Sequence, residues 1–454
     1  MILIIVAVIV LLAGIMIGIG IAYVNHLVKT PEFKQMVLKA ARDAVGADVK
    51  IEQIDVSVFS GVELKGVAIS NPEGFAGQLL TANAFVLRYR LLPLLTRRLE
   101  IQQLTLQKPV ITLSRNEKSE WNYERLGGKT TSTQPVEPTG TQRVGPAKSA
   151  KVHRANVDIS FSHVNLADGE VVMLGEKNKA LCRFQNIDIA TSVDYARGQL
   201  RGAGKAGIQT LAVADSLFLR RITAPVAITP GEIKLAPLTG KVANGDATGD
   251  LSLQLTGTAQ YRLNLQIANA DVDVMQQEAG VTHHAINGGK LRGNAAITGT
   301  GGLPTIVGGG KLEIIGGKLA QLPLQELIAT LLQVPELREV AFDQCVMEFS
   351  ISNNVMFTPV IRLTSSQVQI SGNGQVALDD YSLNHTLTLA LAKGMLDRMP
   401  KEIRANFIER PDGFLAIEFR VWGPYASPKT DLQQRVLKGA AEQLLQKGLE
   451  KFLK

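Results

Sequence analysis

Over most of its length this chain places an apolar side chain at every second position, a period that admits few folds. Val157, Ile159 and Phe161 alternate with polar residues, as do Leu251, Leu253 and Leu255, then Tyr261, Leu263, Leu265 and Ile267. Towards the C-terminus Leu387, Leu389 and Leu391 repeat the pattern, followed by Ile417, Phe419 and Val421. A period of two belongs to β-strands and gives each strand one apolar and one polar face. The pairs Asp168-Gly169, Asn244-Gly245, Asn287-Gly288 and Asp412-Gly413 punctuate the runs as turns. Together these predict an antiparallel meander. With 42 glycines, 5% aromatic and 20% charged residues, the chain suits a turn-rich β-structure better than a compact α/β enzyme.

Helical stretches interrupt the pattern at a few places. Thr30 fits an N-cap and Pro31 a first helical position, which predicts a helix running to about Val45 and stopped by Gly46. Val49, Ile51, Ile54, Val56 and Val58 then read as a strand with a bulge, Gly61 as its turn, and Leu64 to Ser70 as the return strand. Short helices are expected at Leu324–Leu332, ending before Pro335, and at Lys393–Ile408, restarted at Pro400. From Thr430 to Leu453 the chain is amphipathic, with Leu432, Val436, Ala440, Leu444, Leu445, Leu449 and Phe452 near one helical face. Core packing or end-capping explains such a tail, and so does docking onto a membrane or a partner. Gly127 to Lys151 is rich in Thr, Pro, Gly and Ser and reads as a flexible, cationic loop.

Residues Ile2 to Val24 carry no side chain that is charged at neutral pH. As a helix they would extend roughly 35 Å, enough to cross a hydrocarbon core of about 30 Å. A secretory signal would carry a basic start, a shorter apolar stretch and an Ala-x-Ala-like site, so a retained anchor fits better, with Tyr23 at the interface. After the span, Lys29, Lys34, Lys39 and Arg42 outnumber Glu32 and Asp43. By charge alone that favours the body on the cytoplasmic side.

Chemical signatures are scarce. The net charge of +7 comes without a dense Lys/Arg cluster interleaved with aromatics, so nucleic acid is not an expected partner. Cys182 and Cys345 are far apart and outside any CxxC pair; buried free thiols or a single bridge both fit. Gly372 to Ala377 matches GxGxxA, but the residues that follow alternate like strands, which points to a hairpin turn rather than a cofactor loop. Gly127-Gly128-Lys129-Thr130 lacks the first glycine of a phosphate loop, where Tyr123 stands. His283-His284 would point to opposite faces of a strand, with no carboxylate cluster nearby. No Ser/His/Asp signature occurs, so neither catalysis, a metal nor a cofactor is expected.

Several stretches resemble the AsmA-like family of bacterial envelope proteins. After the apolar run and helix come Val49-Lys50-Ile51-Glu52-Gln53-Ile54-Asp55-Val56 and Val67 to Phe75, then Leu91-Leu92-Pro93-Leu94-Leu95 and Leu99 to Leu106. Lys108 to Arg115 leads to Trp121-Asn122-Tyr123; the Asp-Gly pair common before that Asn is missing from Glu117 to Glu120, which suggests a different turn. Gly310 to Leu319, Ile370 to Leu378 and Trp422-Gly423-Pro424-Tyr425-Ala426-Ser427-Pro428 continue the likeness. It covers roughly residues 1–126 and 285–454.

The resemblance implies an inner-membrane anchor in a Gram-negative-type bacterium and a periplasmic body, against the charge count above. It also implies kinship with chorein-type lipid bridges and a part in phospholipid traffic or outer-membrane homeostasis. The expected fold is mainly β: a single N-terminal transmembrane helix, then an elongated, curled antiparallel sheet forming an open apolar groove. The expected segments are an anchor at 1–25, a helix-plus-sheet region at 26–126, the loop at 127–151, a middle sheet at 152–284, a C-terminal β-region at 285–428 and the tail at 429–454.

Acyl chains would lie in the groove, where each buried methylene contributes about 0.8 kcal/mol. Leu251, Leu253, Leu255, Leu263, Leu265, Ile267, Leu387, Leu389, Leu391, Ile417, Phe419 and Val421 are the candidate lining residues, an ordinary closed β-core being the alternative. Roughly 22 strands at about 4.8 Å would give a groove on the order of 100 Å, which suggests a partner or shuttle step, or a local role at the inner membrane. An envelope scaffold or assembly factor, using the sheet as a binding surface and an envelope protein partner at the C-terminal helix, is the alternative function.

Overall fold

The computed structural model describes residues 31–57, 61–90, 98–116, 118, 120–126, 158–175, 178–196, 199–254, 260–281, 285–300, 305–320, 322–397 and 399–436. The expected span at 1–25, the loop at 127–151, Leu255, His283-His284 and the tail beyond 436 lie outside the described residues. Among the described residues no helix is long and apolar enough to cross a membrane. The chain is mainly β, with a large mixed sheet of 21 strands, a small sheet of three, and short helices. It divides into two compact units, Met1–Leu211 with Pro225–Gly231, and Ala212–Ala224 with Glu232–Lys454.

The first unit begins with helix α1 (Pro31–Val45). It ends where expected: Gly46 turns left-handed (φ 71°) and its N–H donates to the Arg42 carbonyl at 2.8 Å. Strands β1 (Val49–Ser57), β2 (Gly61–Ser70) and β3 (Gln78–Arg90) pair antiparallel. The slip in β1 is not a register shift, because β2 slips with it. Val49 and Ile51, then Ile54 and Val56, are the more buried positions of β1, matched in β2 by Ile69 and Val67, then Leu64 and Val62. Gly66 (φ 59°) sits at the step, where a Cβ would stand 2.3 Å from the Glu52 side chain.

Strands β4 (Arg98–Gln107) and β5 (Val110–Ser114) both pair with β3. Strand β6 (Asp158–Leu174) then runs parallel to β4 and β5, while β7 (Ala180–Ala196) returns antiparallel. The sheet is therefore mixed, not the antiparallel meander that alternation predicts. Alternation reports which face a residue takes, not strand direction, and residues 115–157 are long enough to carry the chain back for a parallel pairing. Asp168-Gly169 is no hairpin either. It lies inside β6, with Asp168 at φ 55° and the β6–β7 register shifting on both sides of Gly169. Val37, Leu38, Ala41 and Val45 of α1 join Val49, Leu64, Phe85, Leu87, Ile101 and Leu104 in this unit's buried core.

Strands β8 (Gln199–Val213) and β9 (Leu217–Thr229) carry residues of both units. The second unit continues with β10 (Glu232–Val242), β11 (Gly245–Gln254), β12 (Gln260–Asp271), helix α2 (Val272–Glu278), β13 (Ile286–Asn287), β14 (Lys290–Gly299) and β15 (Val307–Ile315). Then come β16 (Lys318–Ala320), α3 (Pro323–Leu332), β17 (Glu339–Ala341), β18 (Gln344–Ser352), β19 (Val355–Thr364), β20 (Val368–Ala377) and β21 (Ser382–Leu391). Helices α4 (Lys393–Leu396) and α5 (Lys401–Arg404), β22 (Ile408–Glu409), β23 (Leu415–Pro424) and β24 (Lys429–Thr430) complete it.

Each of β10, β11, β12, β14, β15, β18, β19, β20, β21 and β23 pairs antiparallel with the next, so the meander holds in this unit. The expected turn at Asn244-Gly245 falls one residue early, on Ala243 and Asn244, both at positive φ. Gly372 to Ala377 forms no turn: it lies within β20, paired on both sides. A Cβ on Gly372 would stand 2.3 Å from the Thr386 carbonyl oxygen, so the glycine serves close strand approach. The short helix α2 and the small sheet of β13, β16 and β17 have no counterpart in the alternation and were not expected.

Candidate apolar face of the second unit

Residues directly opposite one another in an antiparallel pair project to the same face, so the registers identify what the sheet presents on each side. One cross-strand row runs Leu235, Leu251, Leu263, Ile297, Gly308, Ile351, Met356, Val376 and Leu383. A second, on the same face, runs Ala247, Ile267, Gly293, Leu312, Met347, Ile361, Gly372, Leu387 and Phe419. A third runs Leu291, Ile314, Cys345, Leu363, Ile370, Leu389 and Ile417. Ten paired strands thus share one aliphatic face, spanning roughly 43 Å at about 4.8 Å per strand.

The face is open in one part and covered in another. Leu251, Leu253, Leu263, Leu265 and Ile267 are half-buried, as are Ile297, Leu312, Met347, Ile351, Met356 and Val376, and none of them belongs to a buried core cluster. Leu389, Leu391, Ile417, Phe419 and Val421 are instead 0–5% exposed. They pack in one cluster with Ile328 and Leu332 of α3, Met395 and Leu396 of α4, Ile403 of α5, and Leu432 and Val436 at the start of the tail. Leu387 is half-buried against the same cluster. Of the lining residues picked from sequence, the β11–β12 set therefore stands open and most of the β21–β23 set is closed beneath helices. Ile297, Leu312, Met347, Ile351 and Met356 belong to the open face and were missed. The glycines Gly308, Gly309 and Gly310 dilute the alternation of β15 beside them.

The covered end is also sealed along its edge. Strand β22 pairs with the start of β23 and β24 with its end, while Asp431 accepts the Arg420 backbone N–H at 2.7 Å. The tail helix is fastened at its first turn, where the Asn406 side chain donates to the Val436 carbonyl at 3.1 Å.

The opposite face carries the ionic pairs. Arg292 of β14 grips Glu313 of β15 with two hydrogen bonds of 2.8 Å, and Gln344 of β18 donates to the same carboxylate. These donors, Arg292 first, hold the Glu313 carboxyl down at about 2. Lys241 pairs with Asp246, and Lys290 with Asp271 at 2.7 Å. Both cysteines are free, and burial raises their thiols above the ordinary value. Cys345 faces the aliphatic side, opposite Leu363 and Ile314.

In the first unit, two of the stretches singled out in the sequence meet. Asn122, in the single-turn helix Asn122–Arg125, is 0% exposed and donates to the Asn71 side chain at 2.7 Å and to the Thr112 carbonyl at 2.8 Å. Trp121 bridges to Arg115 and stacks on Tyr123, with ring centroids 5.9 Å apart. This node joins the Asn71-Pro72 turn to the end of β5. These contacts fasten the core of the unit.

With this geometry in view, the class is that of a large, mainly β protein with one extended aliphatic face. The model of the AsmA family matches residues 1–212, and over that stretch the chain is similar to that family. No curated protein and no solved structure gives a match.

Proposed function

We propose that this protein is a membrane-anchored, lipid-binding protein of the bacterial envelope, holding acyl chains against the open face of β11–β20. The observation that carries the reading is the half-buried aliphatic surface itself. A soluble sheet normally hides such a face beneath a second layer, as β21 and β23 do here. An acyl chain laid across the open rows would shed water at about 0.8 kcal/mol per methylene and needs no directional contacts. The AsmA match over 1–212 supports an envelope role, an inner-membrane anchor within residues 1–25 and a body in the periplasm, with phospholipid as the cargo. The role is one of binding and transfer rather than catalysis. The helix-covered part supports a second reading, an envelope scaffold whose C-terminal end engages a protein partner.

The test is to purify the full chain from bacterial membranes in detergent and identify bound lipid by mass spectrometry. Phospholipid retained by the native chain and lost from a folded Leu263→Asp, Leu265→Asp variant is the expected result. A lipid-free native protein, with folding indifferent to those changes, would transfer the assignment to the scaffold.

A further inference from the structure

The aliphatic face has a polar interruption. Between the rows that pass through Leu383 and Leu387 lies a row formed by Thr358 of β19, Gly374 of β20, His385 of β21 and Val421 of β23. Thr358 is 1% and His385 8% exposed, and their side chains hydrogen-bond to each other, Oγ1 to Nε2, at 2.9 Å. They stand two strands apart, and glycine makes the contact feasible: a Cβ on Gly374 would lie 2.5 Å from His385 Cδ2, in the path of the ring. Neither side chain makes another hydrogen bond among the described residues.

Counting protons shows what the pair lacks. A neutral imidazole and a hydroxyl together carry two polar hydrogens, and one is consumed between them. If Thr358 donates to Nε2, the ring proton sits on Nδ1 and is spare; if Nε2–H donates, the threonine O–H is spare. In either tautomer one donor of the pair is left over among the apolar neighbours Leu383, Leu387 and Val421, where a ligand's acceptor can meet it. Burial also lowers the His385 pKa, which keeps the ring neutral near pH 7. The pair therefore offers a neutral donor that wants an uncharged acceptor. Its place matches: on one side lie Met356 and Val376 of the open surface, on the other Leu387 and the covered Phe419.

We propose that Thr358 and His385 form a binding site for the ester carbonyl of an acyl lipid, fixing the polar end of a chain whose hydrocarbon lies along the open rows. This deepens the groove reading and rests on it. An anionic phosphate fits poorly, since it would have to be desolvated without a cation from this pair.

The test compares two phospholipids with the same head group and chain length, one diester and one diether, presented to the full chain in detergent. The native protein should retain the diester about three- to tenfold better, the range of one added hydrogen bond. A Thr358→Val, His385→Leu variant removes both polar groups together and leaves no orphan. It should melt like the native protein, bind both lipids, and lose the preference; Thr358→Ser should keep it. Equal retention of the two lipids by the native chain overturns the site while leaving the groove intact. So does a preference that survives the double substitution. Retention of neither lipid overturns the groove reading and the site with it. Should the double variant fail to fold, the native comparison still decides.

Discussion

On strands β11 and β12, Leu251, Leu263 and Leu265 stand half-buried outside both buried clusters. On β21 and β23, Leu389, Leu391, Ile417 and Phe419 occupy the same face of the same ladder and are nearly inaccessible. The strands themselves do not differ in kind. The difference is supplied by α3, α4, α5 and the first turn of the tail, which bring Leu332, Leu396, Ile403 and Leu432 onto one end of the face. The lesson is that an aliphatic sheet face is a core only where something covers it. Left open, the same alternation is a binding surface.

Substitutions should separate the two ends, the greatest effect first. Phe419→Ala, at 1% exposure, is expected to cost about 3–5 kcal/mol of stability, read from denaturant unfolding. A loss under about 1 kcal/mol would mean that the cover is not seated on β23 in solution. Next, Asp431→Ala frees the Arg420 N–H and the junction between β23 and the tail. About 1–2 kcal/mol should be lost, with faster amide exchange at Arg420. Leu263→Ala on the open end should cost only about 1 kcal/mol and diminish bound lipid instead. If it destabilised the fold as much as Phe419→Ala, the open face would be closed in solution, and the contrast would collapse.

The smallest effect lies on the opposite face. The Glu313 carboxyl sits at about 2 when folded, below its ordinary 4.5, because Arg292 and Gln344 donate to it. A lowered folded pKa gives a contribution fully present above the unfolded value and lost as pH falls from 4.5 towards 2. The stability gap between native protein and Arg292→Gln should therefore narrow over that interval in urea titrations. A gap unchanged at low pH would show that the pair contributes through packing rather than charge.

The sequence went some way towards this picture, and the places where it stopped are instructive. The helix from Pro31 to Val45 and its stop at Gly46 were legible because a proline and a left-handed glycine act on their own turn. The helix near 324–332 was legible from its apolar pattern ahead of Pro335, and the one expected over 393–408 only in part: it is split around Pro400 into Lys393–Leu396 and Lys401–Arg404, and Ile408 belongs to β22. Leu263, Leu265 and Ile267 could be assigned to one face, since a strand's period is fixed by its own backbone. Thr358 and His385 escaped notice because they lie 27 residues apart and meet only through the register of β19, β20 and β21. Asp168-Gly169 misled because its positive φ serves a bulge in β6 as readily as a hairpin.

Local order, then, was the sequence's own: β-strands of period two and the places where short helices begin, each depending on residues a few positions apart. Three matters belonged to the tertiary structure alone. They are the parallel pairing of β6 with β4 and β5, the choice of which stretch of aliphatic face is roofed, and the meeting of Thr358 with His385 over Gly374. Each depends on contacts between residues distant in the chain, and a side-chain period carries no information about the strand or helix that will arrive opposite it.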